Sequence, residues 1–462
     1  MRATVVLDIG KTNAKLTLLD PHGTALASLR CANVVLDSGP YPHHDTERLW
    51  DWLLTSLRLF ARQADITAIV PVTHGATAAL VDGHGLVLPV LDYESAAPQA
   101  EPARYAALRP PYADTGSPDL PAGLNLGRQL YWLSQQYPAE FDRARHILNY
   151  PQYWAWRLCG VAAGEVTSFG CHTDLWQPQA GTYSALVDTL GWRHLLPPLR
   201  PAWDALGPLR PELAELTGIA GTCQVLCGIH DSNASLLRYL PQPTPDGAAA
   251  QPVTVLTTGT WAVLAAIGRP LDGLDESRDM LANVNALGQP VACMRFMGGR
   301  EFAALAGPRQ TVCTADELQW LIQQRTLALP CFADAGGPFS GRVGQVTGPA
   351  PNTAAQRYAL ATLYCVLMSD YCLDALGGTG MVVIEGSFTD NPHFAPLLAA
   401  LRGSQPVALT DDTSGTTCGG WMLSHWGDRP VAHSRIAAPL ALTGLRAYRE
   451  RWRAKLVTHA LL

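Results

Sequence analysis

The stretch "VVLDIGKTNAKLTLLD", residues 5–20, decides how this chain begins to fold. The apolar run before Gly10 predicts one strand, and the alternation of polar and apolar residues from Lys15 onward predicts a second. A glycine between two strands predicts a tight turn, with the hydroxyl of Thr12 and the amide of Asn13 at its tip. The chain therefore opens with a strand, a turn and a strand.

The turn resembles a phosphate-binding P-loop only in its last residues, Gly10-Lys11-Thr12. A P-loop needs a further glycine five positions earlier and a helix afterwards, and this segment has neither. The backbone N–H groups of Gly10, Lys11, Thr12 and Asn13 can still form a concave anion site. Asp8 would repel a phosphate there unless a divalent cation lay between them, so we predict that Asp8 is a magnesium partner. An ordinary hairpin ending in an aspartate is the alternative.

Length and composition limit the classes of protein to consider. The chain has 462 residues, which predicts two or three domains, and 48% of them are hydrophobic, which suffices for buried cores. A net charge of −6 without a long basic run argues against nucleic acid or an anionic membrane as the main partner. We expect no apolar stretch of about 18 residues and no signal peptide, and therefore a cytoplasmic protein with reduced cysteines.

The chain contains the strand–turn–strand pattern twice. Segments with helical periodicity alternate with strands through the first half, which predicts mixed α/β layers. A proline-rich connection spans residues 241–252, and "VTVLTTGTWAVLAAIG" then repeats the opening pattern. Two similarly built lobes are therefore expected, and phosphate-binding turns in both would hold one nucleotide between them.

The strongest chemical signal is "VLCGIHDSNASLL", residues 225–237. An apolar strand runs into Gly228 and then into Asp231, which is placed to cap the helix that follows. The helix dipole would keep such a carboxylate ionised. An ionised Asp231 beside a phosphoryl donor could accept the proton of an attacking hydroxyl. A plain N-cap is the alternative.

Together these segments resemble the FGGY carbohydrate kinases of the actin-like ATPase superfamily over nearly the whole chain. "LDIGKTNAKL" and "LTTGTW" resemble the two phosphate motifs, and "VVIEGSFTDN" resembles the adenosine-binding strand and loop. "GIHDSNASLL" resembles the Gly-x-x-Asp segment, whose aspartate is the catalytic base and falls here on Asp231. Two departures are that Gln129 replaces a signature lysine after "LNLGR" and that only Gly386 remains of a glycine run.

The resemblance implies an α/β fold of two similar ribonuclease H-like (actin-like ATPase) lobes, each a mixed sheet flanked by helices, with a cleft between them. It implies a sugar-binding, catalytic lobe over residues 1–240 and a nucleotide-binding lobe over residues 250–450. ATP and Mg²⁺ are the implied cofactors. The implied nucleotide-binding residues are Gly10, Lys11, Thr12, Asn13, Thr258, Gly259, Thr260, Gly386 and Ser387.

Three further segments offer groups for a sugar, which needs directional hydrogen bonds and an aromatic face. "THGATAALVD" is similar to a xylulokinase segment whose histidine touches the ketose, although a loop histidine is the alternative. "LPVLDYES" offers an acceptor–aromatic–acceptor cluster or a solvated turn, and "GLNLGRQL" resembles a helix of rhamnulokinases. The predicted substrate-binding residues are His74, Gly75, Asp92, Tyr93, Glu94, Asn125, His230 and Asp231.

We therefore expect an ATP-dependent kinase for a small sugar, most simply a ketose of the rhamnulose, fuculose or xylulose type. One alternative is a nucleotide-dependent regulatory or binding protein on the same scaffold, and another is a polyol kinase. A small-molecule sugar and ATP are the expected partners, with no nucleic acid and no membrane. A homodimer is left open.

Overall fold

A computed structural model describes residues 1–100, 102–241, 251–309, 311–410, 415–428 and 433–459. The chain divides into two compact units. The first unit comprises the described residues within Met1–Leu240, Ala282–Pro290 and Ser414–Val431. The second comprises those within Pro241–Leu281, Val291–Thr413 and Ala432–Leu462. Most of the proline-rich connection, residues 242–250, lies outside the described residues.

The strands of the described chain alternate with helices in both units. The strands are β1 (Arg2–Ile9), β2 (Asn13–Leu19), β3 (Ala25–Ala32), β4 (Val35–Leu36), β5 (His43–His44), β6 (Asp65–Thr73), β7 (Ala78–Val81), β8 (His146–Asn149), β9 (Trp176–Gln177), β10 (Thr182–Tyr183), β11 (Ala205–Pro208), β12 (Gln224–Leu226), β13 (Ile229–His230), β14 (Val253–Thr258), β15 (Ala262–Ile267), β16 (Met280–Val284), β17 (Pro290–Phe296), β18 (Leu327–Leu329), β19 (Gln345–Thr347), β20 (Met381–Gly386), β21 (Val407–Leu409) and β22 (Arg435–Ile436).

The helices range from a single turn to more than six turns. They are α1 (Thr46–Ala61), α2 (Pro102–Leu108), α3 (Tyr112–Thr115), α4 (Leu126–Gln136), α5 (Pro138–Phe141), α6 (Tyr150–Cys159), α7 (Val166–Phe169), α8 (Ala185–Thr189), α9 (Pro211–Thr217), α10 (Asp231–Leu236), α11 (Gly298–Ala306), α12 (Ala315–Gln324), α13 (Ala354–Leu376), α14 (Phe394–Arg402), α15 (Gly415–Ser424) and α16 (Leu445–His459).

The sheet of the first unit has the strand order β11-β12-β6-β1-β2-β3, and β13 also pairs with β6. The first three strands form an antiparallel meander, whereas β6 runs parallel to β1 and to both β12 and β13. The predicted opening is confirmed, because the residues before Gly10 form β1 and those from Asn13 form β2.

Helices pack on this sheet through apolar residues that the helical periodicity predicts to lie on one face. Helix α1 buries Leu49, Leu53, Leu57 and Phe60 on one face, and the side chain of Asp45 caps its N-terminus. Helix α6 ends at Gly160, whose positive φ of 82° suits a glycine. These buried faces join the apolar strand residues in one core.

The second unit repeats the arrangement of the first. The sheet has the order β16-β17-β15-β14-β20-β21-β22, although residues 282–284 of β16 and Pro290 of β17 belong to the first unit. Strands β14, β15 and β17 form an antiparallel meander, and β14, β20 and β21 run parallel, as β1, β6 and β12 do in the first unit. The prediction that two similarly built lobes each open with a strand, a turn and a strand is therefore confirmed.

Helix α13 forms the centre of the second core. It is long and apolar enough to cross a membrane by length and composition, so the expectation that no stretch would qualify is wrong in that respect. However, 83% of its most apolar window is buried within the protein. A buried core helix meets the same criterion, and its burial among apolar residues of the second unit accounts for its composition.

Candidate active site

Three parallel strands of the first unit bring polar residues to one edge of its sheet. Asp8 pairs with Val72 of β6, and His230 pairs with Thr73, the last residue of that strand. The carboxyl ends of β1, β6 and β13 therefore coincide. Asp8 near the end of β1, His74 after β6 and Asp231 after β13 consequently lie at the same edge.

Asp231 is held by its own neighbours. Its Oδ1 accepts the backbone N–H of Ser232 at 2.6 Å and the Ser232 hydroxyl at 3.2 Å, and it lies 3.3 Å from Nε2 of His230. Helix α10 begins at Asp231 itself and His230 occupies the N-cap position, so the predicted cap is wrong by one residue. The other oxygen, Oδ2, is the one that the Ser232 and His230 contacts leave available.

Burial determines the protonation of this carboxyl more than the helix does. Burial raises the pKa of Asp231, and the hydrogen bonds from Ser232 lower it by less. This direction is opposite to the effect expected from the helix dipole. A carboxylate with a raised pKa is a stronger base than an exposed aspartate, which suits proton abstraction from a hydroxyl.

His74 presents an unprotonated nitrogen. Its Nδ1 lies 3.0 Å from the carbonyl oxygen of Gly75, which can only accept, so Nδ1 carries the proton of the neutral ring. Burial lowers the pKa of His74, and its Nε2 has no hydrogen-bond partner among the described residues. The ring packs against Tyr93 at 5.4 Å and Tyr150 at 5.1 Å between centroids. A buried acceptor of this kind suits the hydroxyl of a ligand.

Lys11 joins the predicted phosphate turn to the predicted sugar cluster. Its ammonium group bonds to Asp92, lies 3.4 Å from Glu94 and sits 5.1 Å from the ring centroid of Tyr93. Asp92 is 6% exposed, whereas the carboxylate of Glu94 faces solvent. These four residues form one ionic and aromatic cluster, which spacing along the sequence could not reveal.

The opening turn keeps its polar tip exposed. The N–H of Gly10 donates to the carbonyl of Asn13 at 2.9 Å, and Asn33 donates to the carbonyls of Gly10 and Thr12 at 2.9 Å. These bonds fix the turn, while the side chains of Thr12 and Asn13 remain exposed. The tip therefore offers a hydroxyl and an amide to a ligand.

Asp8 is bound by residues that the sequence did not single out. Its Oδ2 accepts the hydroxyl of Thr416 on α15 at 2.7 Å and lies 3.7 Å from the ammonium of Lys15. Burial raises the pKa of Asp8, and the negative charge of Asp231 raises it further. A cation near Asp8 would relieve this unfavourable environment.

The side chains around Asp8 suit a magnesium ion that takes most of its ligands from outside the protein. No group of three His, Cys, Asp or Glu residues within the described ranges could hold a metal ion. Mg²⁺ commonly binds one or two carboxylates and takes its remaining ligands from water and substrate phosphates. Asp8 therefore suits a phosphate-bound magnesium ion rather than an ion held by protein ligands alone.

Asn125 lies in a different environment from the other predicted sugar ligands. Its side chain is completely buried, and its Oδ1 accepts the N–H of Leu120 at 2.9 Å. Its Nδ2 donates to the carbonyl of Pro118 at 3.0 Å and to Asp174 at 3.3 Å. The amide thus holds the loop before α4, and its contact with a sugar stays a prediction.

In the second unit, the two predicted nucleotide segments meet. Thr258 pairs with Gly386 where the parallel strands β14 and β20 end. The Thr258 hydroxyl donates to the carbonyl of Glu385 at 2.7 Å and accepts the N–H of Phe388 at 2.9 Å. Ser387 donates to the carbonyl of Thr258 at 3.4 Å. The hydroxyl of Thr258 is therefore engaged within the protein.

Close backbone approach explains the glycines of this region. Gly386 has a φ of 84°, and a Cβ there would lie 2.0 Å from the carbonyl oxygen of Thr258. A Cβ on Gly299, at the start of α11, would lie 2.3 Å from the carbonyl oxygen of Gly259. Thr260 is exposed beside it. Backbone rather than side chains forms this surface, which is what close approach of a phosphate requires.

Gly75 is another position where a side chain would collide. A Cβ there would lie 2.7 Å from Nε2 of His230. We expect Gly75→Ala to displace the His230 ring and to lower kcat/KM for the acceptor on the order of tenfold, because small misplacements at a reacting centre are costly. Steady-state kinetics would measure this effect. Gly221→Ala is the matched control, since a Cβ there meets nothing within 4 Å. Equal activity of the two variants would contradict the prediction.

Glu165 is linked to the site through Thr167, and the sequence did not indicate this role. It is completely buried, and its Oε2 accepts both the N–H of Thr167 at 3.0 Å and the Thr167 hydroxyl. That hydroxyl in turn accepts the N–H of His230 at 3.2 Å. Burial raises the pKa of Glu165 to about 7. Glu165 bonds to a residue only two positions away, but the link from Thr167 to His230 joins residues 63 positions apart, so no local pattern reveals its connection to the site.

The raised pKa of Glu165 makes stability depend on pH. The folded state binds this proton more tightly than the unfolded state, so Glu165 stabilises the fold below pH 4.5 and the effect is lost as pH rises to about 7. We expect the free energy of unfolding of Glu165→Gln, relative to that of wild type, to increase by about 2 kcal/mol when the pH is raised from 5 to 8. Urea unfolding at both pH values measures it. Glu212→Gln changes an exposed residue and serves as the control, for which no such increase is expected. If the difference between Glu165→Gln and wild type is also the same at both pH values, the raised pKa of Glu165 is refuted.

Two family models match parts of this chain. The family model "FGGY family of carbohydrate kinases, N-terminal domain" matches residues 118–237, and "Carbohydrate kinase FGGY, C-terminal domain" matches residues 250–432. An L-fuculokinase of Haemophilus influenzae is 24% identical over 290 residues, which are 58% of this chain and 58% of that protein. The match thus spans a little over half the length of that curated relative.

Solved structures match over nearly the entire chain. A carbohydrate kinase from Novosphingobium aromaticivorans is 38% identical with a TM-score of 0.91, over 99% of this chain and 98% of that one. A ligand-bound xylulose kinase from Lactobacillus acidophilus is 15% identical with a TM-score of 0.77, over 100% and 97% of the two chains, and this likeness concerns the fold alone. Each unit is thus a ribonuclease H-like lobe of the actin-like ATPase type. With a family model matched in each half and a relative of 38% identity aligned over 98% of its length, the chain belongs to the FGGY family of carbohydrate kinases.

Proposed function

We propose that this protein transfers the terminal phosphoryl group of ATP to a hydroxyl of a small sugar, most simply a ketose of the fuculose, xylulose or rhamnulose type. Asp231 is the base for that hydroxyl. The sugar binds the lobe of residues 1–240, and the nucleotide binds the lobe of residues 250–450. The enzyme acts in the cytoplasm and needs neither nucleic acid nor a membrane.

The single observation that carries this proposal is the meeting of Asp231 with His74 at one edge of the first sheet. Asp231 offers a carboxylate with a raised pKa, and His74 offers a buried, unprotonated nitrogen without a partner among the described residues. One group can remove a proton from a hydroxyl while the other accepts a hydrogen bond from a second hydroxyl. Two adjacent hydroxyls are what a sugar presents.

The proposed reaction moves one proton and one phosphoryl group. The sugar hydroxyl gives its proton to Asp231, and its oxygen forms a bond to the terminal phosphorus of ATP. The bond between that phosphorus and the oxygen bridging to the β-phosphate breaks, and ADP leaves with the electron pair. The uncharged tautomer of His74 keeps the acceptor oriented, and Lys11 places positive charge between the turn and the Asp92–Glu94 cluster.

The nucleotide is held mainly by backbone and hydroxyl groups. The turns at residues 10–13 and 258–260 present the exposed hydroxyls of Thr12 and Thr260, and the backbone beside Ser387 can be approached closely at Gly386, which has no side chain. Magnesium, when bound, neutralises phosphate charge, and Asp8 is the residue that would hold it.

The acceptor is identified by an ADP-release assay over a panel of ketoses, aldoses, glycerol and other polyols, each with and without ATP. We expect one ketose to raise ADP release at least a hundredfold over the sugar-free rate. ADP release that is stimulated by glycerol and by no sugar would identify a polyol kinase. ATP turnover that is independent of every sugar, or no turnover at all, would overturn the proposal and favour a nucleotide-dependent regulatory or binding protein.

A further inference from the structure

A chain of hydrogen bonds in the first unit begins at a group whose role is unambiguous. The backbone N–H of Val284 can only donate, and it donates to the side chain of Asn283 at 2.8 Å. The atom that it meets must therefore be the oxygen, Oδ1, of Asn283. This assignment does not depend on the pH or on any ionisable group.

The same oxygen fixes the amide of the next residue. Oδ1 of Asn283 lies 3.2 Å from the amide of Asn233, which must present its NH₂ group there, since two carbonyl oxygens would repel. The second N–H of this NH₂ group faces Nδ1 of His230 at 3.4 Å. Both asparagines are buried, with Asn233 1% exposed and Asn283 5% exposed, so water does not compete for these bonds.

His230 therefore receives a hydrogen bond on Nδ1, and this nitrogen is not the protonated one. Burial lowers the pKa of His230 to about 4, so the ring is neutral at neutral pH and its single proton lies on Nε2. Nε2 is 3.3 Å from Oδ1 of Asp231. The ring is also anchored through its backbone N–H, which donates to Thr167 at 3.2 Å.

We propose that Asn233 is a positioning residue that fixes the tautomer of His230, so that His230 donates Nε2–H to Oδ1 of Asp231 and never serves as the base itself. The catalytic part of this inference rests on the proposed function, since it concerns Asp231 as the base. The tautomer itself does not.

As a consequence, the two oxygens of Asp231 have different roles. Oδ1 accepts the Ser232 N–H and the Ser232 hydroxyl, and in the proposed tautomer it also faces the Nε2–H of His230 at 3.3 Å, so all three donors lie on one side of the carboxylate. Oδ2 is left to take the proton of the acceptor. In the opposite tautomer, a lone pair of His230 would face Oδ1 and turn the carboxylate away. Asn233 keeps His230 a donor both before and after Asp231 has gained a proton, so the proton cannot pass on to the ring.

The first test is spectroscopic and needs no catalysis. In the intact protein with ¹⁵N-labelled histidine, ring correlations should show His230 protonated at Nε2 and bare at Nδ1 at pH 7, with His230→Gln identifying its signals. A proton on Nδ1 of the wild-type ring overturns the proposal. If the tautomer is as expected but no sugar is phosphorylated, the proposed function fails while this inference about the ring stands.

The second test changes the partner of Nδ1. In Asn233→Asp, a carboxyl oxygen replaces the NH₂ donor, so Nδ1 of His230 should gain a proton, and kcat should fall roughly 10- to 100-fold while KM for ATP changes little. If the His230 ring stayed neutral, the lone pair on its Nε2 would then repel the carboxylate of Asp231. If the ring became cationic, it would stabilise that carboxylate and make it a weaker base. Asn285→Asp is the matched control: the oxygen that accepts from Leu287 and Gln289 is retained, and the one donated bond that is lost, to Oε1 of Gln289 at 3.2 Å, does not involve His230. Unchanged kcat and ring signals in Asn233→Asp would refute the positioning role.

Discussion

Asp231→Asn is expected to lower kcat by roughly 10²- to 10⁴-fold while leaving the fold and nucleotide affinity nearly unchanged, because an amide cannot accept the acceptor's proton. Asparagine keeps an oxygen for the Ser232 N–H at 2.6 Å, so the start of α10 is preserved. The measurement is ADP release with the sugar selected from the panel, together with KM for ATP and the thermal midpoint.

Asp188→Asn is the matched control for this variant. Asp188 lies in the same unit and pairs with Arg193 at an exposed position, so its loss should change kcat by less than twofold. Wild-type turnover in Asp231→Asn would remove Asp231 as the base. The pH profile gives a further check: since burial raises the pKa of Asp231, the acidic limb of kcat should lie above the ordinary aspartate range and vanish in the variant.

Asp8→Asn is expected to lower kcat/KM about 100-fold and to raise the Mg²⁺ concentration needed for half-maximal activity, because it removes the carboxylate that would hold the metal. The hydroxyl of Thr416 and the ammonium of Lys15 also lose their anionic partner. Titration of activity with MgCl₂ after treatment with a chelator measures both effects.

Asp20→Asn controls for the loss of an aspartate in the same hairpin. Asp20 accepts the backbone N–H groups of His22 and Thr24 at the exposed end of β2, away from the turn at Gly10. We expect its Mg²⁺ dependence to match that of wild type. A wild-type Mg²⁺ dependence in Asp8→Asn as well would show that Asp8 has no part in holding the metal.

The fold could be predicted from sequence largely because its signals are local. The strand before Gly10 and the strand from Asn13 are encoded by apolar runs and by two-residue alternation, and α1 by a four-residue spacing of leucines. The repeat of the opening pattern at β14 and β15 predicted the second lobe. Each of these patterns is complete within about twenty residues.

The site was predictable only in part, because its decisive contacts join distant segments. Asp231 and His74 stand out beside glycines at strand ends, where functional side chains commonly lie. By contrast, Thr416 reaches Asp8 across 408 positions, and Asn283 reaches Asn233 across 50. Glu165 acts through Thr167 on His230 and carries no motif of its own. No window of one sequence contains both ends of such pairs.

Asp231 shows a second reason why local reasoning falls short. The sequence predicted a helix cap whose ionisation the helix would favour, which is the correct tendency for an exposed carboxylate. The structure starts the helix at Asp231 and leaves its side chain only 27% exposed, and this partial burial outweighs the helix dipole. Burial is a property of the whole fold and cannot be read from the residues on either side.

The first unit is assembled from three separate stretches of chain, and this imposes an order on biosynthesis. Residues within Ala282–Pro290 supply Asn283, and residues within Ser414–Val431 supply Thr416. A ribosome that has completed the first 240 residues has made the sheet of this unit but none of those partners. Asn233 therefore gains its partner only after residue 283 has been made, and Asp8 gains its partner only after residue 416, so this edge of the sheet is completed late in translation, whereas the sheet itself can form early.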